Sequence, residues 1–361
     1  MRWEPCLRNY TSYNLTRKPR LDQTTSTWRT TVFPTPQAER LTKETFVTNE
    51  KKSSLVINRR HLLKGSAAAA LALGMNSRGL IAAENAMVPN AIKYGFKLGD
   101  MEVSTLLAGS RIAKEPQNIF GKNVSGDEFA AVSAENHLPI DQTKFYFTPT
   151  VVKVGTDIIL FDTGLNPDSI GAPLRAAGIE PDDVTVVVIT HMHGDHIGGL
   201  AGENGEETFK NARYVTGEAE FDAWSKQDND NFKNKVAPLS EKIEFLKDGG
   251  SVVSGITAMA AFGHTPGHMI YMLESGGKQL VIAADTANHY VWSLAYPDWE
   301  VKFDMDKAAA AATRKQVFGM LAAEKLPFIG YHMPFPGTGF VDTRGEGGFR
   351  YVPASYQLDL G

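Results

Sequence analysis

Three histidines and one aspartate lie within six residues, directly after an apolar run that is typical of a buried strand. The run covers residues 184–189, and Thr190-His191-Met192-His193-Gly194-Asp195-His196 follows it. Alternation along an extended segment places His191 and His193 on one side. The turn at Gly194 then redirects Asp195 and His196 toward the same region. Imidazole and carboxylate are the ligands that zinc takes when no thiolate is available, so the segment predicts a metal site at a strand end.

Three later segments each place a metal-ligand type of residue at the end of an apolar run. They are Gly263-His264-Thr265-Pro266-Gly267-His268, Ala283-Ala284-Asp285 and Gly330-Tyr331-His332. A carboxylate at the end of a buried strand needs a partner, and a metal ion provides one. Each of these residues alone could belong to an ordinary loop, but with the first cluster they complete the ligands for two metal ions. We expect the nearby His268 and His289 to be exposed loop residues, with support of a ligand as the alternative.

Short β-branched runs and helix signals predict a layered α/β body. Strands are predicted at residues 101–107, 150–154, 157–161, 184–189, 212–215, 256–260, 269–273, 279–284 and 327–330. Helices are predicted at residues 169–177, 218–225 and 305–323, the last with Asp304 or Asp306 as its N-cap.

The order His-x-His-x-Asp-His, His264, Asp285 and His332, with Phe161-Asp162-Thr163-Gly164 upstream, resembles the metallo-β-lactamase superfamily over about residues 95–350. The resemblance implies an α/β fold, namely a four-layer αββα sandwich with a dinuclear metal site at the edge of its two sheets. It also implies a role for each residue. His191, His193 and His264 would hold the first metal, Asp195, His196 and His332 the second, and Asp285 would bridge both. Asp162 would orient a ligand histidine from behind.

Two divalent ions are implied, zinc first, although histidine and aspartate also accept Co²⁺, Mn²⁺ and Fe²⁺. Such a pair lowers the pKa of a shared water, so the expected nucleophile is a metal-bridging hydroxide, with Asp195 and Asp285 as the catalytic carboxylates and Asp195 also a candidate proton shuttle. Several segments are similar to the subgroup that contains methyl parathion hydrolase and related lactonases: residues 97–103, 211–213, 220–224, 263–268 and 349–353. We therefore expect hydrolysis of an ester, a lactone or a phosphotriester.

Three alternatives stay open at this point. The first is β-lactam hydrolysis, although the commonest zinc β-lactamases use a cysteine ligand and the only cysteine here is Cys6. The second is iron redox chemistry, but the flavodiiron members carry glutamate where this chain has His193. The third is a metal-binding protein of the same fold without catalysis.

Aromatic residues are candidates for an apolar mouth above the metals, with core packing as the alternative. They lie in the segment from Trp224 to Phe232 and in Phe145-Tyr146-Phe147. An apolar mouth without a cluster of Lys and Arg favours a small uncharged substrate over an anionic monoester.

The N-terminal part of the chain has a composition of its own. Residues 1–54 lack any apolar periodicity, and we interpret them as disordered or not translated, with translation starting near Leu55 or Val56. Residues 55–83 contain Asn58-Arg59-Arg60, an Ala/Leu stretch and Ala82-Ala83, which resembles a twin-arginine signal peptide; the alternative is an Ala-rich surface helix. The stretch is too short to span a bilayer, so it gives no stable membrane anchor. The resemblance implies export by the twin-arginine translocase to the periplasm, and a hydrolase domain over residues 84–361.

Charge is unevenly divided between these two parts. Residues 1–83 carry 14 basic and 5 acidic side chains, and residues 84–361 carry 23 basic and 36 acidic ones. A domain with a net charge of −13 repels phosphate backbones, which argues against a nucleic-acid partner. The subgroup resemblance also implies a homodimer.

Overall fold

A computed structural model describes residues 92–345 and 347–355. The predictions for residues 1–54 and 55–83 lie outside the described residues. No helix within the described ranges combines the length and the apolar character needed to cross a membrane.

The described residues form sixteen strands and five α-helices. The strands are β1 (Lys93–Leu98), β2 (Met101–Leu106), β3 (Gly109–Lys114), β4 (Gln142–Phe147), β5 (Thr150–Val154), β6 (Asp157–Phe161), β7 (Val186–Ile189), β8 (Arg213–Gly217), β9 (Ile243–Leu246), β10 (Ser251–Val253), β11 (Ile256–Ala260), β12 (Met269–Ser275), β13 (Lys278–Ala284), β14 (Phe328–Gly330), β15 (Thr338–Arg344) and β16 (Gly348–Pro353). The helices are α1 (Gly126–Glu135), α2 (Pro167–Ala176), α3 (Gly194–Ile197), α4 (Glu218–Trp224) and α5 (Lys307–Glu324). Short helical turns cover Pro116–Asn118, Pro181–Asp183, Phe232–Val236 and Ala237–Lys242.

Most strands belong to two seven-stranded sheets. The first has the order β1-β2-β5-β6-β7-β8-β9, and the second has the order β10-β11-β12-β13-β14-β15-β16. Strands β6 to β9 run parallel, as do β13 and β14, and the other neighbours are antiparallel. Strands β3 and β4 pair only with each other and form a separate antiparallel ribbon.

Strand β7 shows how the sequence produces layers. Val186 and Val188 pack into the core between the two sheets, while Val187 and Ile189 pack on the opposite side. Both faces of the strand are therefore buried, which explains its continuous apolar sequence. The outer core of the first sheet includes Ile170 and Leu174 of α2.

The second sheet is covered on its outer face by α5. Val317, Phe318 and Leu321 of this helix pack on strand residues that include Ile270 and Val281. Helix, sheet, sheet and helix therefore follow one another, and the predicted four-layer αββα sandwich is confirmed.

A fourth core cluster fixes the β3–β4 ribbon against the sandwich. It joins Phe145 and Phe147 of β4 to Phe129 of α1 and to Trp292 and Trp299. Stacked rings dominate the cluster, with Phe129 and Trp292 centred 5.1 Å apart. The ribbon is thus held rigidly beside the ends of the central strands.

Most predicted elements agree with the structure, but several were not predicted. Strand β1, the β3–β4 ribbon, helix α1 and strands β9, β10, β15 and β16 were missed. Strand β3 could not be recognised from alternation because none of its residues is buried, so its sequence has no apolar face. At α5 the N-cap is Asp306, whose carboxylate accepts a hydrogen bond from the Ala309 amide. Asp304 as the N-cap was wrong, because its carboxylate has other partners.

Candidate metal centre

The candidate ligands all follow the ends of strands, and the structure brings these strand ends together. His191 and His193 follow β7, and Asp195 and His196 lie in the short helix α3 that comes next. Asp285 follows β13 and His332 comes two residues after β14, its parallel neighbour. His264 lies in the turn between β11 and β12. Both sheets therefore contribute to one cluster.

The first group consists of His191, His193, His264 and Asp285, whose candidate ligand atoms all lie within 4.8 Å of one another. The Nδ1 atom of His193 lies 3.1 Å from Nε2 of His191 and 3.0 Å from Nε2 of His264. The Nε2 atom of His264 lies 3.3 Å from Oδ2 of Asp285.

The second group consists of Asp195, His196 and His332 and shares Asp285 with the first. The Nε2 atom of His332 lies 3.3 Å from Oδ2 of Asp195 and 3.2 Å from Oδ2 of Asp285. The Nε2 atom of His196 lies 3.3 Å from Oδ1 of Asp285. Asp285 is therefore the carboxylate between the two groups, which is the position that a bridging ligand requires. The structure brings all seven predicted ligands together, and their assignment as ligands stays a prediction.

The spacing of these atoms fits divalent metal ions. Ligand atoms at about 2.1 Å from a tetrahedral ion lie roughly 3.4 Å from one another, and the distances above are close to that value. Two enclosed atoms, Nε2 of His196 and Oδ1 of Asp285, have no hydrogen-bond partner among the described residues. When His196 is neutral and its Nδ1 hydrogen is donated to Asp162, the Nε2 lone pair faces this carboxylate oxygen at 3.3 Å, and a cation between the two atoms would relieve the repulsion. The donor set therefore fits metal, and the residues that would hold it are the seven named here.

Four of the histidines are oriented by a hydrogen bond from the ring nitrogen that faces away from the cluster. Nδ1 of His196 donates to Oδ2 of Asp162 at 2.8 Å, and Nδ1 of His191 contacts Oγ1 of Thr190 at 3.1 Å. Nδ1 of His264 donates to Asp304, and Nδ1 of His332 donates to a main-chain carbonyl. Such partners fix the tautomer and leave the Nε2 lone pair free for a metal ion.

Asp162 lies where the sequence predicted, behind a ligand histidine. Besides His196, its carboxylate accepts the amide of Thr190 at 2.9 Å and the hydroxyl of Thr190 at 2.9 Å. Its backbone is in the left-handed region with φ of 61°, a strained conformation for a non-glycine residue. Two hydrogen bonds from Thr190 at the end of β7 and one from His196 hold it there, so the Asp-Thr-Gly turn and the His-x-His segment form one rigid unit.

Asp304 is a partner of the site that sequence reasoning assigned only to helix capping. Its Oδ1 accepts a hydrogen bond from His264 Nδ1 at 2.9 Å, and its Oδ2 accepts one from Arg314 at 2.7 Å. Arg314 is fully buried and also donates to the carbonyls of Pro297 and Trp299. The chain Arg314, Asp304 and His264 therefore anchors a candidate ligand to helix α5.

Burial and neighbouring charges set the protonation of the cluster. Burial lowers the pKa of His193 to about 3 and that of His191 well below its usual range. Burial raises the pKa of Asp285, but His332 and His196 outweigh it and hold that pKa well below its usual range. Burial also lowers the pKa of His264 and His332, yet Asp285 beside them raises these values to about 9 and about 10. Metal ligands must be deprotonated, so binding of a divalent ion releases protons from these two histidines.

Glu220 on α4 connects the two loops that carry candidate ligands. Its fully buried carboxylate accepts four hydrogen bonds, from the amides of Met192 and Gly267, the Thr265 hydroxyl and the Trp224 indole, at 2.7 to 2.9 Å. The loop that contains Gly267 packs closely against α4, because a Cβ atom at Gly267 would lie 2.1 Å from the Glu220 amide nitrogen. Burial raises the pKa of Glu220, while the four donors oppose that effect.

Replacing Glu220 by glutamine should lower the free energy of unfolding by about 2–5 kcal/mol, because an amide group cannot accept four hydrogen bonds and leaves buried donors unpaired. Chemical denaturation with urea would measure the change. The matched control is Glu218→Gln on the same helix, where the side chain is half exposed and pairs with the exposed Lys247; it should change stability by less than about 1 kcal/mol. Equal effects of the two variants would contradict this role of Glu220.

The β3–β4 ribbon holds His332 in place. The carbonyl of Tyr146 accepts the Nδ1 hydrogen of His332 at 2.8 Å. The rings of Phe145 and Phe147 meet the His332 imidazole edge to face, at centroid distances of 5.5 and 5.6 Å. The candidate metal ligand His332 follows a strand of the second sheet, but it is oriented by the β3–β4 ribbon, which belongs to neither seven-stranded sheet.

A pocket of about 280 Å³ opens over the cluster. Its apolar walls are Phe145, Phe147, Leu165 and Phe303, Arg111 lies among them, and His193, Asp195, Asp285 and His332 lie in contact with the space. The prediction that Phe147 faces the mouth agrees with this geometry. Placing Trp224 and Phe232 there was wrong, because both are buried in the outer core of the first sheet and do not line the pocket. The indole of Trp224 is directed to Glu220 instead.

His268 and His289 are buried, so the expectation of exposed loop histidines was wrong. Nδ1 of His268 donates to the Ala261 carbonyl, and its Nε2 accepts the amide of Asp285 at 3.1 Å. His268 therefore supports the candidate ligand Asp285, which is the alternative role that the sequence offered for it. Within the described part of the chain, His289 makes no hydrogen bond, ion pair or ring contact with a candidate ligand, and it lies against a different cavity.

Comparisons with known proteins point in the same direction as the geometry. A family profile described as the metallo-beta-lactamase superfamily matches residues 148–327. An N-acyl homoserine lactonase from Bacillus cereus is 29% identical over 123 residues, which cover 34% of this chain and 46% of that relative. An N-acyl homoserine lactonase from a Bacillus species is 32% identical over 103 residues, or 28% of this chain and 38% of that relative. The chain spans less than half the length of these curated relatives.

Two solved structures share the fold. One is AidC, described as a dizinc quorum-quenching lactonase, with a TM-score of 0.68 and 24% identity over 74% of this chain and 99% of that one. The other is the hydrolase AbOPH of the beta lactamase superfamily, with a TM-score of 0.67, 24% identity and the same coverage. The profile match over residues 148–327, the four-layer fold and the strand-end histidines and aspartates together make this chain similar to the metallo-beta-lactamase superfamily.

Proposed function

We propose that the chain is a dinuclear metal-dependent hydrolase that opens lactones and cleaves uncharged esters. The observation that carries the proposal is Asp285, which lies within 3.8 Å of histidines from both ligand groups, beneath a pocket open to substrate. When bound, two divalent ions would polarise the scissile carbonyl and supply a nucleophile from water at neutral pH. Zinc is the first choice for a site of imidazoles and carboxylates without thiolate.

The side chains that line the pocket contribute to substrate binding and to proton transfer. Phe145, Phe147 and Phe303 make apolar walls that exclude water and favour an uncharged substrate over an anionic one. Asp195 is the most exposed carboxylate of the cluster, with 25% of its side chain accessible. It therefore lies where a proton can move between the reacting group and solvent.

Lactones are the preferred class because the curated relatives that the chain matches are N-acyl homoserine lactonases. Uncharged phosphotriesters are a second candidate, since the same apolar pocket has no cluster of basic residues that would require an anionic substrate.

The function is tested by initial rates of the zinc-loaded protein on four substrates: an acyl-homoserine lactone, an aryl ester, an aryl dialkyl phosphotriester and nitrocefin. We expect turnover of the lactone and the ester, and its loss in the double variant His191→Ala/Asp195→Ala. Turnover of nitrocefin alone would replace the proposal by β-lactam hydrolysis. Absence of all four activities, with two zinc ions bound per chain, would reject a hydrolase of these classes.

Zinc should stabilise the folded protein, because ligands that are apart in the unfolded chain meet only in the native structure. At a free zinc concentration 100 times the dissociation constant, the free energy of unfolding should rise by about 2.7 kcal/mol. Thermal unfolding with and without zinc would measure the shift. In the double variant the shift should disappear, and an undiminished shift there would place the zinc elsewhere.

We also propose export through the twin-arginine translocase, which the residues Arg59 and Arg60 support. The test is cell fractionation of the full chain and of its Arg59→Lys/Arg60→Lys variant. Export of the parent and cytoplasmic retention of the variant are expected, and equal export of both would contradict the proposal.

A further inference from the structure

A second cavity, of about 440 Å³, lies on the other face of the β3–β4 ribbon. Over the second half of β4 alternation separates the two spaces: Phe145 and Phe147 face the pocket over the metal centre, whereas Lys144 and Tyr146 face the second cavity. Near the start of the strand, Gln142 and Thr143 both line the second cavity. The paired strand agrees, since Arg111 opposes Phe145 and Ile112 opposes Lys144. The ribbon is thus a wall between two spaces, and only His332 lines both.

The walls of the second cavity are mainly apolar. They include Ile112, Leu138, Pro139, Tyr290, Trp292 and Pro334. Its volume lies within the range of about 300–1,000 Å³ that is usual for sites of small molecules. A site of this kind also needs a polar group that fixes the orientation of its ligand, and the structure supplies one.

That group is the imidazole of His289. Its Nδ1 accepts the amides of Val291 and Trp292, each at 3.1 Å, so the ring proton must be on Nε2. The ring is stacked on Trp292 at 4.1 Å and on Tyr290 at 4.7 Å, which fixes its plane. Nε2 has no hydrogen-bond partner among the described residues and is not fully enclosed, and the residue lines the cavity. Burial lowers the pKa of His289 to about 3, so the ring stays neutral at physiological pH.

We propose that this cavity is a second small-molecule binding site, which takes a neutral, largely apolar compound with one acceptor oxygen that bonds to Nε2 of His289. An unpaired donor in an apolar wall favours a ligand that can accept its hydrogen bond over an isostere that cannot. The site is separate from the candidate catalytic pocket because the β3–β4 ribbon stands between them. It does not depend on the proposed hydrolase activity, since its evidence is the cavity and the fixed tautomer.

The test uses cyclohexanone and methylenecyclohexane, which have the same shape and differ in the acceptor oxygen. Their dissociation constants are measured by ligand-observed NMR on the zinc-loaded protein. His289→Asn can retain an acceptor for the two amides at the position of Nδ1, and its shorter side chain leaves no donor at the position of Nε2. We expect the ketone's advantage over the hydrocarbon to fall by about fivefold in this variant, which is the usual net contribution of one hydrogen bond.

Two tryptophan substitutions locate the binding. Ile112→Trp fills the second cavity from an exposed position on β3 and should abolish binding of both probes. Leu165→Trp narrows the pocket over the metal centre from a similarly exposed position and should leave binding unchanged. The opposite pattern, or an unchanged preference in a folded His289→Asn variant, would overturn the proposal.

Discussion

Replacing Asp285 by asparagine should lower kcat/KM for the best substrate by at least about 1,000-fold, which corresponds to about 4 kcal/mol of transition-state stabilisation. The change keeps the size of the side chain but removes the charge that both ligand groups share. His191, His264, His196 and His332 all lie within 3.8 Å of this carboxylate. Without it, two cations at close range would lack their common anion. Metal analysis should show a fall from two ions per chain to one or fewer.

The matched control for this change is Asp342→Asn on β15. Its carboxylate is exposed and pairs only with Arg350 at the surface, so activity and metal content should stay at the level of the parent. Two bound ions and near-normal turnover in Asp285→Asn would show that Asp285 is not shared between two metals.

Replacing Asp304 by asparagine should have the second largest effect, on stability and on metal affinity together. The variant leaves the buried Arg314 without the carboxylate that it pairs with in the described part of the chain, and an uncompensated buried charge costs about 3–5 kcal/mol. It also weakens the acceptor for Nδ1 of His264, and loss of such a partner usually lowers metal affinity by about 10–100-fold. Urea denaturation and competition with a fluorescent zinc chelator would measure the two effects separately.

The control lies two residues away. Asp306 caps helix α5 through its side chain, and asparagine is an equally good N-cap, so Asp306→Asn should change stability by less than about 0.5 kcal/mol. If both variants behave alike, Asp304 acts through the helix start and not through Arg314 and His264.

The ligand cluster could be predicted from the sequence because its members follow apolar strands. A polar residue just after a buried strand is visible in the local sequence, and His191, Asp285 and His332 all have this position. The central strands could be predicted from the same apolar runs, because β7 and β13 are buried on both faces and their sequences are continuously apolar.

The residues that orient the ligands could not be predicted in this way. Asp304 reaches His264 across 40 positions of the chain, and Tyr146 reaches His332 across 186. In sequence Asp304 has the pattern of a helix cap, and the contribution of Tyr146 is a main-chain carbonyl, which no side-chain pattern reveals. Trp224 shows the opposite error: an aromatic near the ligands suggested a pocket wall, whereas its indole donates to the buried Glu220.

The candidate ligands come from both sheets, so bound metal would restrict movement of one sheet relative to the other. Each group takes residues from the loop after β7 in the first sheet and at least one from a strand end in the second. An ion in either group would therefore be a cross-link between the two halves of the sandwich. Any opening that separates the sheets would have to break metal bonds first, so bound metal should slow amide hydrogen exchange in the strands that face the central core, such as β7 and β13, far more than in the edge strands β1 and β16.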